Sequence, residues 1–272
     1  MWRELWTYRG LIRQLAVRDL KARYKVSVLG FFWSLLRPLL TIAVLAAVFS
    51  SLDFKSDRYA VPYAVLLLTS YMPWFFFSTA WLEGTQSILG NAQLVKKVYC
   101  PRAVFPTAVV LANLVNFAFS FVVLLPVLFW VAPVTPTWAF LELPLVILTH
   151  TAFLLGLCFI TSIMHVLYRD TSQIVEFLVF VWFYLSPVLY DVHEVFQRTS
   201  LTYAQVYCLN PMVGLIEWYR YVLLASSLRP PGPVDGYSTH YVVTYAILFS
   251  LSVLILGYYL LKKLESRAVD EL

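Results

Sequence analysis

The chain has 272 residues, 61% of them hydrophobic and only 13% charged, with a mean hydropathy of +0.75. So few charges cannot cover that much apolar side chain in water, which excludes a soluble globular domain and makes the bilayer the solvent for most of the protein. The net charge of +5 is no signal for nucleic acid, because the basic residues gather at the expected membrane edges.

Residues 1–27 read as an amphipathic interface helix. Tyr8, Leu11, Ile12 and Leu15 share one helical face, and Arg3, Arg9, Arg13 and Lys21 share the other. Asp19 falls toward the apolar face, where Arg23, four residues on, is placed to pair with it. A signal peptide would have a shorter apolar core and would not be followed by more spans.

A membrane-spanning helix needs about 20 mostly apolar residues. Six segments qualify: 28–50, 60–81, 104–131, 144–167, 172–190 and 239–261. Pro38, Pro73, Pro126 and Pro187 fall inside them, which membrane helices tolerate because neighbouring groups re-satisfy the freed carbonyls. A further apolar stretch, 211–226, reaches only about 24 Å and carries Glu217 and Arg220. If it does not cross, fourteen lysines and arginines lie inside and five outside, with Arg37 within the first span. That asymmetry predicts an all-α membrane protein of six spans with both termini cytoplasmic. It makes 211–226 a re-entrant or interfacial helix on the outer face.

The expected organisation is one membrane domain, 1–272: the interface helix 1–27, a six-span bundle over 28–261, and a charged cytoplasmic tail over 262–272. Residues 51–59 and 132–143 are then short outer loops, 82–103 a cytoplasmic loop, 168–171 a cytoplasmic turn and 191–238 a long outer excursion. Cys100, Cys158 and Cys208 fall in different compartments, so no disulfide is expected, and no zinc-ligand spacing occurs. Trp2, Trp6, Trp138 and Tyr241 suit a belt at the membrane interface. His150 and His165 lie in the fourth span, away from any chain of acids, and read as packing residues.

Four stretches, in order along the chain, carry a family resemblance: RDLKARYKVSVLGFFWSLLRPLL from Arg18, NAQLVKKVYCPRAVFP from Asn91, RDTSQIVEFLVFVWFYLSPVLY from Arg169, and LNPMVGLIEWYRYVLL from Leu209. Together they resemble type-2 ABC exporter permeases that move polysaccharides, the membrane subunits for O-antigen, capsule and wall teichoic acid export. The resemblance implies a homodimer in the plasma (inner) membrane of a bacterium, surrounded by membrane lipids. It implies a lipid-linked glycan as substrate and two copies of a P-loop ATPase subunit as partners. ATP and magnesium then belong to those subunits. This chain has no GxxxxGK[ST] among its nine glycines, and is expected to be no enzyme and to bind no cofactor or metal.

The resemblance also implies that 82–103 carries a coupling helix seated on the ATPase. Asn91 to Tyr99 can form one, with Leu94, Val95 and Val98 apolar and Lys96 and Lys97 polar, ended by Pro101. Without the resemblance, the same loop reads as an ordinary basic membrane edge. The N-terminal helix is either a surface anchor or a second ATPase contact.

Arg37 sits roughly 13–15 Å into the first span, where an arginine costs at least about 2.5–3.5 kcal/mol and therefore faces a partner or a wet cavity. Two readings stand side by side. It meets the pyrophosphate of the lipid-linked glycan, for which guanidinium forks are suited, or it snorkels or pairs with Glu176 of the fifth span. Phe31, Phe32 and Trp33 in the first span, and Phe180, Trp182, Phe183 and Tyr184 in the fifth, either line a channel on which sugar faces slide or pack between helices. A related permease exporting a drug or lipid is the neighbouring alternative. A polyprenyl-carrier transferase is an alternative of another class, but no DxxD-like magnesium cluster occurs on a cytoplasmic loop. A proton-driven carrier is disfavoured by the lack of intramembrane acid pairs.

Overall fold

A computed structural model describes residues 2–24, 32–51, 59–97, 100–132, 134–228 and 239–270. Among these residues the helices are α1 (Trp2–Thr7), α2 (Arg9–Tyr24), α3 (Phe32–Ser51), α4 (Tyr63–Gln86), α5 (Ala92–Lys97), α6 (Val104–Val131), α7 (Leu143–Leu167), α8 (Thr171–Tyr184), α9 (Val192–Arg198), α10 (Leu201–Tyr207), α11 (Pro211–Leu224) and α12 (Thr239–Asp270). The one extended feature among them is an isolated bridge from Tyr59 to Leu228. The protein is an all-α membrane protein, as its composition predicts.

Among the described residues four helices, α4, α6, α7 with the turn before it, and α12, are long and apolar enough to cross a bilayer; α3 and α8 are shorter apolar helices. The expected third and fourth spans coincide with α6 and α7 almost to the residue. The fifth is overrun: α8 stops at Tyr184, short of 190, because Pro187 has no N–H to continue the ladder. α12 runs on through Lys262 and Lys263 to Asp270, so most of the expected 262–272 tail is helical. Trp6, Trp138 and Tyr241 are exposed, as a membrane belt requires, while the Trp2 side chain lies outside the described residues. The three cysteines are buried and free.

α4 is the central rod, packed against α3, α6, α7, α8 and α11. Phe77 on it meets the rings of Trp81, Phe153 and Trp182 at 5.4, 5.8 and 5.4 Å. α7 and α12 cross with their backbones in close contact. A Cβ on Gly156 would lie 2.6 Å from the Val253 carbonyl carbon, so only glycine lets the two backbones approach this far. His150 packs edge-on to Phe76 at 5.1 Å, the packing role its surroundings in sequence suggest.

α11 is buried on every residue but Tyr221. Asn210 caps it: its Oδ1 accepts from Met212 N at 3.0 Å and from the Trp182 indole at 2.8 Å, while its Nδ2 donates to Leu185 O at 2.8 Å. Arg220 is fully buried and all its hydrogen bonds are internal. It donates to Glu217 Oε1 at 2.8 Å, Ser70 Oγ at 2.8 Å, Pro187 O at 2.6 Å and Tyr190 O at 3.0 Å. The expected outer helix is thus a plug within the bundle, joined to α4 and to the end of α8.

The apolar stripe of α2 does not face lipid alone. Ile12 and Leu15 are buried in a cluster with Ile88, Val95, Val104, Phe105, Ile163 and Val166. The expected Asp19–Arg23 pair is replaced: Asp19 pairs with Arg18 at 2.8 Å, and Arg23 reaches Glu83 instead. Glu4 on α1 accepts from the Tyr258 hydroxyl and pairs with Lys262 at 3.2 Å, which puts the first and last helices at one end of the bundle.

Replacing Arg220 by Met should lower unfolding stability by about 3–5 kcal/mol, because Glu217 is left charged and buried. In detergent melts, the double variant Glu217→Leu, Arg220→Met should recover only part of this, since the Pro187 and Tyr190 carbonyls stay unpaired. A second expectation concerns pH. The Tyr258 hydrogen bond outweighs partial burial and, with Lys262, holds the Glu4 carboxyl below its ordinary value of 4.5. The contact therefore contributes fully above that value and fades as pH falls through the lowered one. Limited proteolysis of α1 should accelerate only under acid conditions, and Glu4→Gln should make it fast at neutral pH.

Candidate functional site

At the end of the bundle that carries α2 and α5, a cavity of about 410 Å³ opens between α2, α3, α4 and α6. Its rim is polar. Asn113 Oδ1 accepts from Arg23 Nη1 at 3.1 Å, and Asn113 Nδ2 donates to Glu83 Oε2 at 2.7 Å and to Val109 O at 3.0 Å. Arg23 Nη2 closes the triangle on the same Glu83 oxygen. Trp33 and Arg37 line the α3 wall, and no ion pair of Arg37 forms among the described residues. The depth of the cavity is apolar, with Phe76 and Phe117 stacked at 4.8 Å. Arg37 is open to this cavity, the kind of surrounding that spares a lone cation burial in hydrocarbon. The alternative pairing with Glu176 is not formed: that residue is exposed on α8, and α8 does not line the cavity.

The aromatic candidates are split between two places. Trp33 faces the cavity; Phe31 and the Phe32 side chain lie outside the described residues. On α8, Phe180 and Tyr184 sit one turn apart on an exposed face, with ring centroids 5.4 Å apart. Trp182 and Phe183 turn the other way. Trp182 is held by Asn210 and by the rings of Phe77, Trp81 and Phe153, and Phe183 lies against Trp74 at 5.5 Å.

The helix expected over Asn91 to Tyr99 forms over Ala92–Lys97 as α5, led in by a 3-10 turn (Leu89–Asn91). Asn91 Oδ1 accepts from Arg18 Nη2 at 2.9 Å, which ties the turn to α2, and Asn91 Nδ2 donates to Ser87 O at 2.8 Å. Val95 is buried in the protein's own core and Leu94 is packed beside it, while Gln93, Lys96 and Lys97 are exposed. Val98 and Tyr99 lie outside the described residues. Cys100, just beyond, is buried, and burial pushes its thiol up.

Sequence reasoning missed Glu83 and Asn113 as cavity residues and missed Arg220–Glu217 as a buried pair. The available signals were a lone acid near the end of the second span and the Asn113–Asn116 spacing, which puts two amides on one face of an otherwise apolar helix. Among the described residues no cluster of His, Cys, Asp and Glu could hold a metal ion.

The chain is 35% identical over 233 residues to the O-antigen export system permease protein RfbA of Myxococcus xanthus, covering 85% of this chain and 87% of that protein. It is 30% identical to a protein of the same name from Klebsiella pneumoniae, over 78% and 79% of the two chains. It is 23% identical to the polysialic acid transport protein KpsM of Escherichia coli, over 90% of each. Residues 10–224, which contain the cavity, α5 and the buried plug α11, match the ABC-2 type transporter family, and the chain belongs to that family.

Proposed function

We propose that this chain is the membrane-spanning permease subunit of an ATP-driven exporter that carries a lipid-linked polysaccharide, of O-antigen, capsule or teichoic acid type, across the plasma membrane of a bacterium. The observation that carries the reading is the 35% identity, along most of both chains, to a protein named for O-antigen export. In this reading the chain is a single permease domain of six spans, α3, α4, α6, α7, α8 and α12, embedded in membrane lipids. Both termini and the cavity face the cytoplasm, and α9 to α11 close the outer side. Two copies form the transport path, and each docks a separate P-loop ATPase subunit that holds ATP and magnesium. The exposed pair Phe180 and Tyr184 is available to a lumen between copies, whereas Trp182 supports α11 from within.

α5 offers a docking face of Gln93, Lys96 and Lys97 with the edge of Leu94, because Val95 is turned inward. In a strain lacking the native gene, Lys96→Glu with Lys97→Glu should abolish surface polysaccharide and co-purification of the ATPase, with the chain still in the membrane. Unchanged co-purification would move the docking site elsewhere. Trp182→Ala should cost about 3–5 kcal/mol of stability, lowering abundance and export together. A fall in export per molecule, judged by quantitative blotting, would instead put Trp182 in the lumen.

A further inference from the structure

The long helix α6 begins without a cap of its own. Its N-cap is Ala103, which has no side-chain acceptor, and its first turn holds no acidic residue. The anion comes from another helix. Glu265, on the last turns of α12, accepts from Arg102 N at 3.1 Å, just ahead of α6. A carboxylate on a backbone N–H at a helix start combines a charge-assisted bond with the favourable end of the helix dipole.

Glu265 belongs to a short stretch, Leu261–Glu265, that is attached on several sides. Leu261 is buried in a cluster with Ala103, Phe159 and Leu254, against which Leu5 of α1 packs. Lys262 pairs with Glu4 of α1 at 3.2 Å and with Glu265 itself at 3.1 Å, which orients the carboxylate. Leu264 packs against the cluster that holds Ile88 and Val95, around α5. Little more than one turn of α12 therefore reaches α1, the α5 segment and the start of α6. These contacts differ in kind. Apolar packing at Leu261 and Leu264 is non-directional and tolerates sliding, whereas the Glu265 bond fixes one backbone atom of the link between α5 and α6. Arg102 is only 8% exposed and its Nη1 donates to Cys100 O at 3.0 Å, so the link is held on both sides of that atom.

We propose that Glu265 is a positioning residue for transport. It clamps the last membrane helix to the link between α5 and α6, so that α6 and α12 move as a pair when α5 is displaced. This role rests on the exporter reading, in which α5 meets the ATPase, and adds a route by which that contact reaches the last span. Glu265 touches neither substrate nor nucleotide and acts through the Arg102 N–H.

The test compares Glu265→Ala and Glu265→Gln with the native chain, in a strain lacking the native gene and in purified permease–ATPase complexes. The glutamine amide still offers an oxygen to Arg102 N, and alanine offers none. In Glu265→Ala, ATPase co-purification and hydrolysis should stay within about twofold of native, while surface polysaccharide per permease molecule falls roughly tenfold, the scale of one lost bond to a charged group. Glu265→Gln should restore most of that ratio. Hydrogen exchange over 100–107 in the full chain, followed by mass spectrometry, should quicken in the alanine variant and not in the glutamine one. A merely structural role would lower melting temperature and abundance and leave export per molecule unchanged, which would overturn the proposal. So would a glutamine variant as poor as alanine, because the Lys262 pair and not the Arg102 bond would then be the operative contact. A native chain that neither holds an ATPase nor exports polymer would overturn the exporter reading, and the role in transport with it. Slow exchange in that chain and fast exchange in Glu265→Ala would still establish the clamp itself.

Discussion

An apolar helix of 14 residues reaches only about 21 Å, too short to cross a bilayer, and α11 is buried on nearly every residue, so its polar groups must be satisfied by protein. Two residues do this. Asn210 caps the first turn and at the same time takes the Trp182 indole and a carbonyl at the end of α8. Arg220, near the other end, has four acceptors and no exposure to solvent. A guanidinium is suited to this because it stays charged and its donors fan out in a plane toward several oxygens.

The same arrangement explains why α8 is short. Pro187 breaks its ladder and frees backbone oxygens that hydrocarbon could not satisfy. Arg220 collects two carbonyls from this break, those of Pro187 and Tyr190, so the charge on α11 and the proline after α8 each meet a need the other creates. Because α8 is tied from its end, its faces are also assigned: Trp182 and Phe183 are drawn onto α4 and α7, and Phe180 and Tyr184 are left outward.

How much of this could be read from sequence follows from how local each cause is. The third and fourth spans were legible because hydrophobic length alone fixes them, and α6 occupies the very residues expected. The shortness of 211–226 was legible from the apolar run itself, and the helix there covers only Pro211–Leu224. Its burial as a plug was not, because Ser70, Pro187 and Tyr190 come from far along the chain. Arg23 shows the same limit. Helical spacing offers it Asp19, but a partner 60 residues away takes it, and no periodicity announces such a contact. The cavity was half legible. The cost of Arg37 in a span demanded a wet surrounding, yet nothing in the local pattern named Glu83 and Asn113 as its rim. Val95 shows the converse, since an apolar residue on a short loop helix suggests a partner's groove when its own bundle fills that role.

One helix connects the two ends of this chemistry. On α2, Arg18 bonds Asn91 beside α5, and Arg23, five residues or about 7.5 Å further along, holds the cavity rim. The polar bond at Arg18 is exposed and weak by itself, but Ile12 and Leu15 lock the same helix onto Ile88 and Val95 through buried apolar contact. A displacement of 89–97 therefore cannot leave α2 behind without opening a packed core. The same cluster holds Val104 and Phe105 of α6, so α2 is locked onto α6 as well, and the two donors that share the Glu83 oxygen are kept in register. One buried cluster thus ties 88–95, α2 and the start of α6 into a single unit at the cavity rim, and the exposed bond at Arg18 adds little to it.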